Sequence, residues 1–233
     1  MCGRAYATYS EEELIFRYLN RKPWPWPIEK LVPDFKPNYN MCPTQIGLAL
    51  SVHEEKLGFR QMRWGLVPGW AKTVKDADKY SMINAKAEEI SEKRSYSAAF
   101  RKRRCIVPVS GFFEWKRSTT SKKPFAIFLK EDSIMSLAGV WESWTSKENG
   151  EVVESFAVLT TAANSFMENI HTRMPVILGP DKEEAWLDPD VTDELKLKNL
   201  LSLCSPDNLG AFEISTKVNS PKNNSSEILK RVE

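Results

Sequence analysis

The strongest constraint on this chain is a run of short apolar segments through its middle. Residues 105–109, 111–115, 125–129, 134–141 and 155–161 are each dominated by apolar, β-branched or aromatic side chains. Turn-forming residues break the run at 119–123 and 146–150. This is the pattern of strands joined by turns. Residues 46–52 and 58–64 read the same way upstream. Helical patterns lie toward both ends. The expected fold class is α+β, a single domain with a β-barrel-like antiparallel sheet core flanked by helices. No repeat or composition shift marks a boundary, so residues 1–233 read as one domain.

The helices are read from caps and spacing. Ser10-Glu11-Glu12-Glu13 has a capping-box pattern and opens a helix with Leu14, Ile15, Tyr18 and Leu19 on one side. Residues 86–101 read as a helix with Ala87, Ile90, Tyr96 and Phe100 as apolar contacts. Residues 163–170, 181–187 and 192–203 read as shorter helices. Pro23-Trp24-Pro25-Trp26-Pro27 excludes a helix interior or a central strand. Residues 23–43 are therefore expected to form an ordered irregular loop with its Trp side chains packed down. Residues 220–226 read as coil.

Composition narrows the function classes. Apolar residues are 42% and charged residues 27%, which excludes general disorder. Lys and Arg total 33 against 31 Asp and Glu, a net charge of +2. Any nucleic-acid binding must then come from local clustering of charge. Cys2, Cys42, Cys105 and Cys204 form no CxxC pair, which argues against a zinc site or a disulfide framework and fits a reducing compartment. The N-terminus lacks an apolar core and a basic leader, and no apolar run approaches the roughly 20 residues that span a bilayer. A cytoplasmic protein without a membrane partner is expected.

Chemistry is concentrated in a few positions. Methionine aminopeptidase removes Met1 when a small residue follows, and Cys2 qualifies. An N-terminal Cys2 would carry a thiol beside a free α-amine, whose pKa of roughly 8 leaves a useful neutral fraction near pH 7. Such an amine forms a Schiff base with an aldehyde, and the thiol can close it to a thiazolidine. The plain alternative is a small residue at a frayed terminus. His53 lies among polar residues and reads as a solvated loop residue. His171, in His-Thr-Arg-Met-Pro, lies in a structured turn and is a structural residue or a general acid-base.

Alternation places Glu114 with Phe112 and opposite Phe113 and Trp115, so Glu114 faces solvent or a pocket. Asn84 precedes the expected helix, as an N-cap or as a group that orients substrate. Arg101 to Arg104 form a basic run of the kind that is usually solvated. Arg4, Lys86 and Arg173 lie close to the candidates above, and phosphate binding is their natural joint role. Trp64 and Trp70, in Trp-Gly-Leu-Val-Pro-Gly-Trp, would stack bases if exposed; core packing is the alternative.

Taken in order, the motifs resemble one family. Met-Cys-Gly-Arg, Tyr39-Asn40 with Pro43-Thr44-Gln45, Trp64-Gly-Leu-Val-Pro-x-Trp70 and Ile83-Asn84-Ala85-Lys86-x-Glu88 are followed by Phe113-Glu114-Trp115, His171-x-Arg173-Met174-Pro175, and Val218-Asn219 with Lys222-Asn223. The chain resembles the SRAP (SOS-response-associated peptidase) family from Cys2 to about Glu227. The resemblance implies a shield for abasic sites in single-stranded DNA, with Cys2 forming the thiazolidine on the ring-opened sugar aldehyde. It implies that Asn84 orients the sugar or the N-terminus and that Glu114 assists proton transfer. His171 would act on the sugar hydroxyl or ring oxygen, and Arg4, Lys86 and Arg173 would hold phosphates. It implies a cross-linking activity with possible lyase and autopeptidase steps, no metal and no organic cofactor. A monomer is the default.

Two positions depart from the family pattern. Lys86 stands where Arg is common, which keeps the charge and loses the planar fork. Cys42 stands where a small apolar residue is usual. Two other functions remain open at this point: a thiol peptidase with Cys2 as nucleophile and His171 as base, and a nucleic-acid binding module that acts without covalent chemistry.

Overall fold

The structure is a computed structural model that describes residues 2–20, 23–29, 35–117 and 122–232. In chain order the strands are β1 (Ala5–Ala7), β2 (Ile28–Glu29), β3 (Asn38–Met41), β4 (Ile46–His53), β5 (Lys56–Trp64), β6 (Asn84–Lys86) and β7 (Arg104–Val109). They continue as β8 (Gly111–Arg117), β9 (Lys122–Leu129), β10 (Met135–Thr145), β11 (Val152–Ala162), β12 (Arg173–Pro175), β13 (Ile177–Leu178) and β14 (Leu209–Glu213). The α-helices are α1 (Glu11–Leu14), α2 (Val74–Asp78), α3 (Ser97–Lys102), α4 (Glu183–Leu187) and α5 (Glu194–Leu200).

A continuous ladder runs β11-β10-β7-β4-β5, and β5 then pairs with β11, which closes a five-stranded barrel. The expected barrel is therefore present, with one difference. The closing seam is parallel, with Ser155 beside Arg63 and Phe156 beside Trp64; the other four barrel pairings are antiparallel. A second sheet, ordered β14-β9-β8-β1-β3, lies against it.

Side-chain alternation divides the core in two. Leu48, Leu50, Ile106, Ala138, Val140, Ala157 and Leu159 pack with Leu14, Tyr18, Phe100, Trp186 and Leu197 from the helical segments. Helices cannot enter a five-stranded barrel, so this face is its outside. The opposite parity, Ala49, Met62, Trp64, Cys105, Val107, Leu137, Trp141, Phe156 and Val158, lines the inside. Ala5, Phe112, Ile127 and Leu209 of the second sheet join that cluster, and so does Cys2.

The expected capping box is present: Ser10 Oγ accepts from Glu13 N–H, and Glu13 accepts from Ser10 N–H. The helix continues as a π-helical segment, Ile15–Asn20. It carries a buried Arg17, held by Glu183 at 2.6 Å and Asp132 at 3.1 Å. Trp24 and Trp26 stack and pack against the outer core, as expected of the proline-rich segment. That segment is interrupted by β2 and β3, and its residues 30–34 lie outside the described residues.

Four expectations are corrected. Residues 86–101 are not one helix: 84–86 are strand β6, turns follow, and only Ser97–Lys102 is helical. Parallel pairing with Val158, Leu159 and Thr160 of β11 captures the segment before a helix can start. Residues 163–170 form turns and one 3-10 turn, Met167–Asn169. There the Asn164 side chain accepts Met167 N–H at 3.0 Å and competes with a helix ladder. Lys122 and Lys123 lie in β9 rather than in a turn, and 118–121 lie outside the described residues. His53 ends β4 with its ring against Trp141 instead of standing in a loop.

Candidate functional site

The site is built at a crossing of two sheets. The C-terminal half of β11 is flanked by β6 on one side and β12 on the other. These carry Asn84, Lys86 and Arg173. The second sheet pairs β1 with β8, with Ala5 opposite Phe112, and Phe113 N–H donates to Arg4 O at 2.9 Å. Cys2, just before β1, is thereby brought beside the part of β8 that carries Glu114.

Cys2 is 0% exposed. Burial pushes its thiol well above the ordinary range, and the charge of Glu114 pushes it further. Asn84 Nδ2 donates to Cys2 O at 2.7 Å and ties β6 to the N-terminus. Asn84 is therefore not a helix N-cap. Its Oδ1 is buried and has no hydrogen-bond partner among the described residues.

Glu114 is 4% exposed, which settles its face: it points into the molecule, in the parity of Phe112. A pocket of about 380 Å³ is lined by Glu114, Trp115, Lys122, His171 and Asn219. His171 Nδ1 lies 3.0 Å from Arg173 N and 3.1 Å from Arg173 O, so the backbone of the His-Thr-Arg turn fixes the ring in either tautomer. The four residues expected to act on an aldehyde are thus gathered by direct contact, by charge and by a shared pocket.

The cations expected to hold phosphate are differently engaged. Arg4 Nη1 donates to Asn40 Oδ1 at 2.7 Å and to Val218 O at 2.6 Å, with its guanidinium 5.9 Å from the Trp115 ring centroid. Arg173 makes a two-pronged pair with Glu88 at 2.7 and 2.9 Å and donates to Thr160 O. This pairing holds the Glu88 carboxyl below its usual range. Lys86 is exposed, beside Glu89 at 3.0 Å.

Trp64 is a correction. Its parity with Met62 turns it into the barrel, where it is 1% exposed, lies parallel to Phe156 and donates to Ile83 O. It has no face to offer a base. Trp70 is 41% exposed, against Tyr80 and Ser95, and lines a separate hollow with Lys72, Trp144 and Lys147.

Lys122 is a pocket residue that the sequence hides, because its surroundings at 119–123 carry a turn pattern while the residue itself lies in β9. Trp115 and Asn219 were noticed only as parts of motifs; they are neighbours, with Trp115 Nε1 donating to Asn219 Oδ1 at 2.8 Å. The reason for the Tyr39-Asn40 motif is also visible. Asn40 Nδ2 reaches Val218 O, Ser220 O and Asn223 O at 2.7–3.2 Å and fastens the C-terminal loop that bears Asn219. Cys42 packs close by, donating to Asn40 O, with burial raising its thiol.

The family described as SOS response associated peptidase (SRAP) matches residues 1–221. The chain is 39% identical to the abasic site processing protein YoqW of Bacillus subtilis, over 98% of this chain and 99% of that one. It is 38% identical to the abasic site processing protein YoaM of the same organism, over 98% and 97%. A crystal structure of a protein from Bacteroides thetaiotaomicron superposes with a TM-score of 0.84 at 27% identity, covering 99% of this chain and 100% of that one.

Proposed function

The chain belongs to the SOS response associated peptidase (SRAP) family, and from that premise we propose that it processes abasic sites in single-stranded DNA by trapping them covalently on Cys2. The observation that carries this reading is the hydrogen bond from Asn84 Nδ2 to Cys2 O, which ties the N-terminal cysteine to β6 while the pairing of β1 with β8 brings it within the electrostatic influence of Glu114.

While Met1 is attached, the nitrogen of Cys2 is an amide and no nucleophile. Removal of Met1 frees an α-amine with a pKa near 8. The amine attacks the aldehyde carbon of the ring-opened sugar, and water leaves as the imine forms. The sulfur then adds to the same carbon and its proton passes to the nitrogen, which closes a five-membered thiazolidine. The first step needs a neutral amine and no thiolate, which suits a thiol whose ionisation is suppressed by burial. A thiol peptidase needs the opposite, a cysteine poised as thiolate.

Asn84 Oδ1, buried and without a hydrogen-bond partner among the described residues, is an acceptor for the released amine. Glu114 moves protons during dehydration and ring closure, and His171 acts on the sugar oxygen across the shared pocket. Arg4, Lys86 and Arg173 act on the flanking phosphates, with Lys86 the most exposed of the three. β-Elimination from the imine supplies the lyase step.

Cys2→Ala tests the scheme, because it retains an α-amine and lacks the thiol. The variant is expected to lose the adduct that survives heat and denaturant while still giving an imine that borohydride traps. A wild-type amount of stable adduct from Cys2→Ala would refute the scheme.

A further inference from the structure

Among the basic side chains round the site, Lys122 stands apart. The fork of Arg173 is filled by Glu88, and Lys86 sits with Glu89. Nη1 of Arg4 is committed to Asn40 and Val218 O. Lys122 lines the pocket with Glu114 and His171, is exposed, and its ammonium has no ion pair or hydrogen bond among the described residues. Its strand is held in place: β9 pairs along β8 from Arg117–Lys122 to Phe112–Ile127, and β14 covers the other edge at Phe125 to Leu129. The next residue, Lys123, is paired with Glu213 at 2.9 Å.

We propose that Lys122 binds a DNA phosphodiester at the mouth of this pocket, next to the sugar that the pocket receives. The assignment rests on the abasic-site reading above. A phosphate that approaches Arg173 or Lys86 must displace a carboxylate. At Lys122 it displaces only water and counterions, so the full electrostatic gain is realised. An ammonium on a flexible stem also suits a phosphate whose orientation changes as the sugar opens, since it acts as a point charge with three rotatable donors.

The test uses Met1-free protein and a single-stranded oligonucleotide with one tetrahydrofuran abasic analogue, which has no aldehyde and cannot react. Binding is measured by fluorescence anisotropy from 50 to 200 mM NaCl for wild type, Lys122→Gln and Lys122→Arg. A thermal melt of each variant checks the fold. One lost contact to single-stranded DNA lowers the slope of log K against log[salt] by about 0.7. The advantage of wild type over Lys122→Gln then shrinks by about 2.6-fold across this range. Lys122→Arg is expected to restore the wild-type slope. Unchanged slope and affinity in Lys122→Gln would overturn the assignment. If wild type still cross-links a true abasic strand in that case, only Lys122 falls. If wild type neither binds the analogue nor cross-links, the abasic-site reading falls with it.

Discussion

At the scale of single residues, the site depends on what burial does to ordinary groups. Asn84 makes one hydrogen bond to Cys2 O that cannot be replaced by water at a buried residue. Such a bond contributes about 1–1.5 kcal/mol. Asn84→Ala is therefore expected to slow adduct formation roughly five- to thirteenfold, in line with that energy, with the fold retained. A single-turnover gel time course measures it, and an unchanged rate would show that Asn84 does not position the terminus.

The buried thiols give a second residue-scale prediction. Burial raises Cys2 and Cys105 well above their ordinary range and Cys204 to about 11. A raised pKa in the folded state means the unfolded chain releases the proton first. The stability of the fold is complete below about pH 8.5 and declines above it, by up to about 1.4 kcal/mol per pH unit for each fully buried thiol. Urea midpoints are expected to be flat from pH 7 to 8 and to fall at higher pH, and less steeply in Cys105→Ala. A flat profile to pH 10.5 would contradict this.

Residue chemistry alone left the site undecided. Cys2, Asn84, Glu114 and His171 each also carry a plain structural reading in the sequence, and it is the ordered motifs of the family resemblance that single them out. Trp64 could not be placed from sequence, since its burial depends on which parity of β5 faces into a closed barrel. Lys122 could not be found at all, because a lysine without an ion pair among the described residues is recognised only once its neighbours are known.

At the scale of elements, the strands were legible where apolar runs are short and bounded by turns. The helices at Ser10, 183–187 and 194–200 were legible, the second of them without a side-chain cap, whereas α2, which Thr73 caps, was not. The segment after Asn84 has helical spacing, yet β11 offers a parallel ladder whose three pairings outweigh that local preference. The pairing of β1 with β8 was invisible, because the paired residues, Ala5 with Phe112 and Tyr6 with Gly111, are far apart in the chain, and it is this pairing that brings Cys2 to Glu114. Gly111 permits it. A Cβ at Gly111 would lie 2.3 Å from Ile127 O and from the Tyr6 hydroxyl. The backbone oxygen cannot move aside without separating β8 from β9. Gly111→Ala is expected to destabilise the protein by about 1–3 kcal/mol and to lower adduct yield together with stability. Chemical denaturation checks the first part. Wild-type stability would mean that the three strands can shift without cost.

At the scale of the whole molecule, the two ends of the chain meet at the site. Cys2 and Arg4 come from the first residues, and Asn219 from the last fifteen. Asn40 connects them: it is 1% exposed, accepts from Arg4, and donates to three carbonyls of the C-terminal loop. Asn40→Ala leaves Ser220 O and Asn223 O without that side-chain donor, while Val218 O keeps Arg4, at a cost of about 1–3 kcal/mol. If the loop is held mainly by Asn40, amide exchange at Val218, Ser220 and Asn223 is expected to rise roughly tenfold while exchange in the barrel is unchanged. Equal exchange in the loop would show that it is held by other contacts.

On the proposed mechanism this assembly presents Cys2 to an aldehyde. The most direct measurement mixes protein of verified Met1-free mass with a single-stranded oligonucleotide carrying one abasic site, and with its undamaged twin, and runs both on a denaturing gel. A shifted band is expected on the abasic strand alone, with an intact mass equal to protein plus DNA less one water. Met1-free protein that gives no covalent band, or equal bands on both strands, would contradict it.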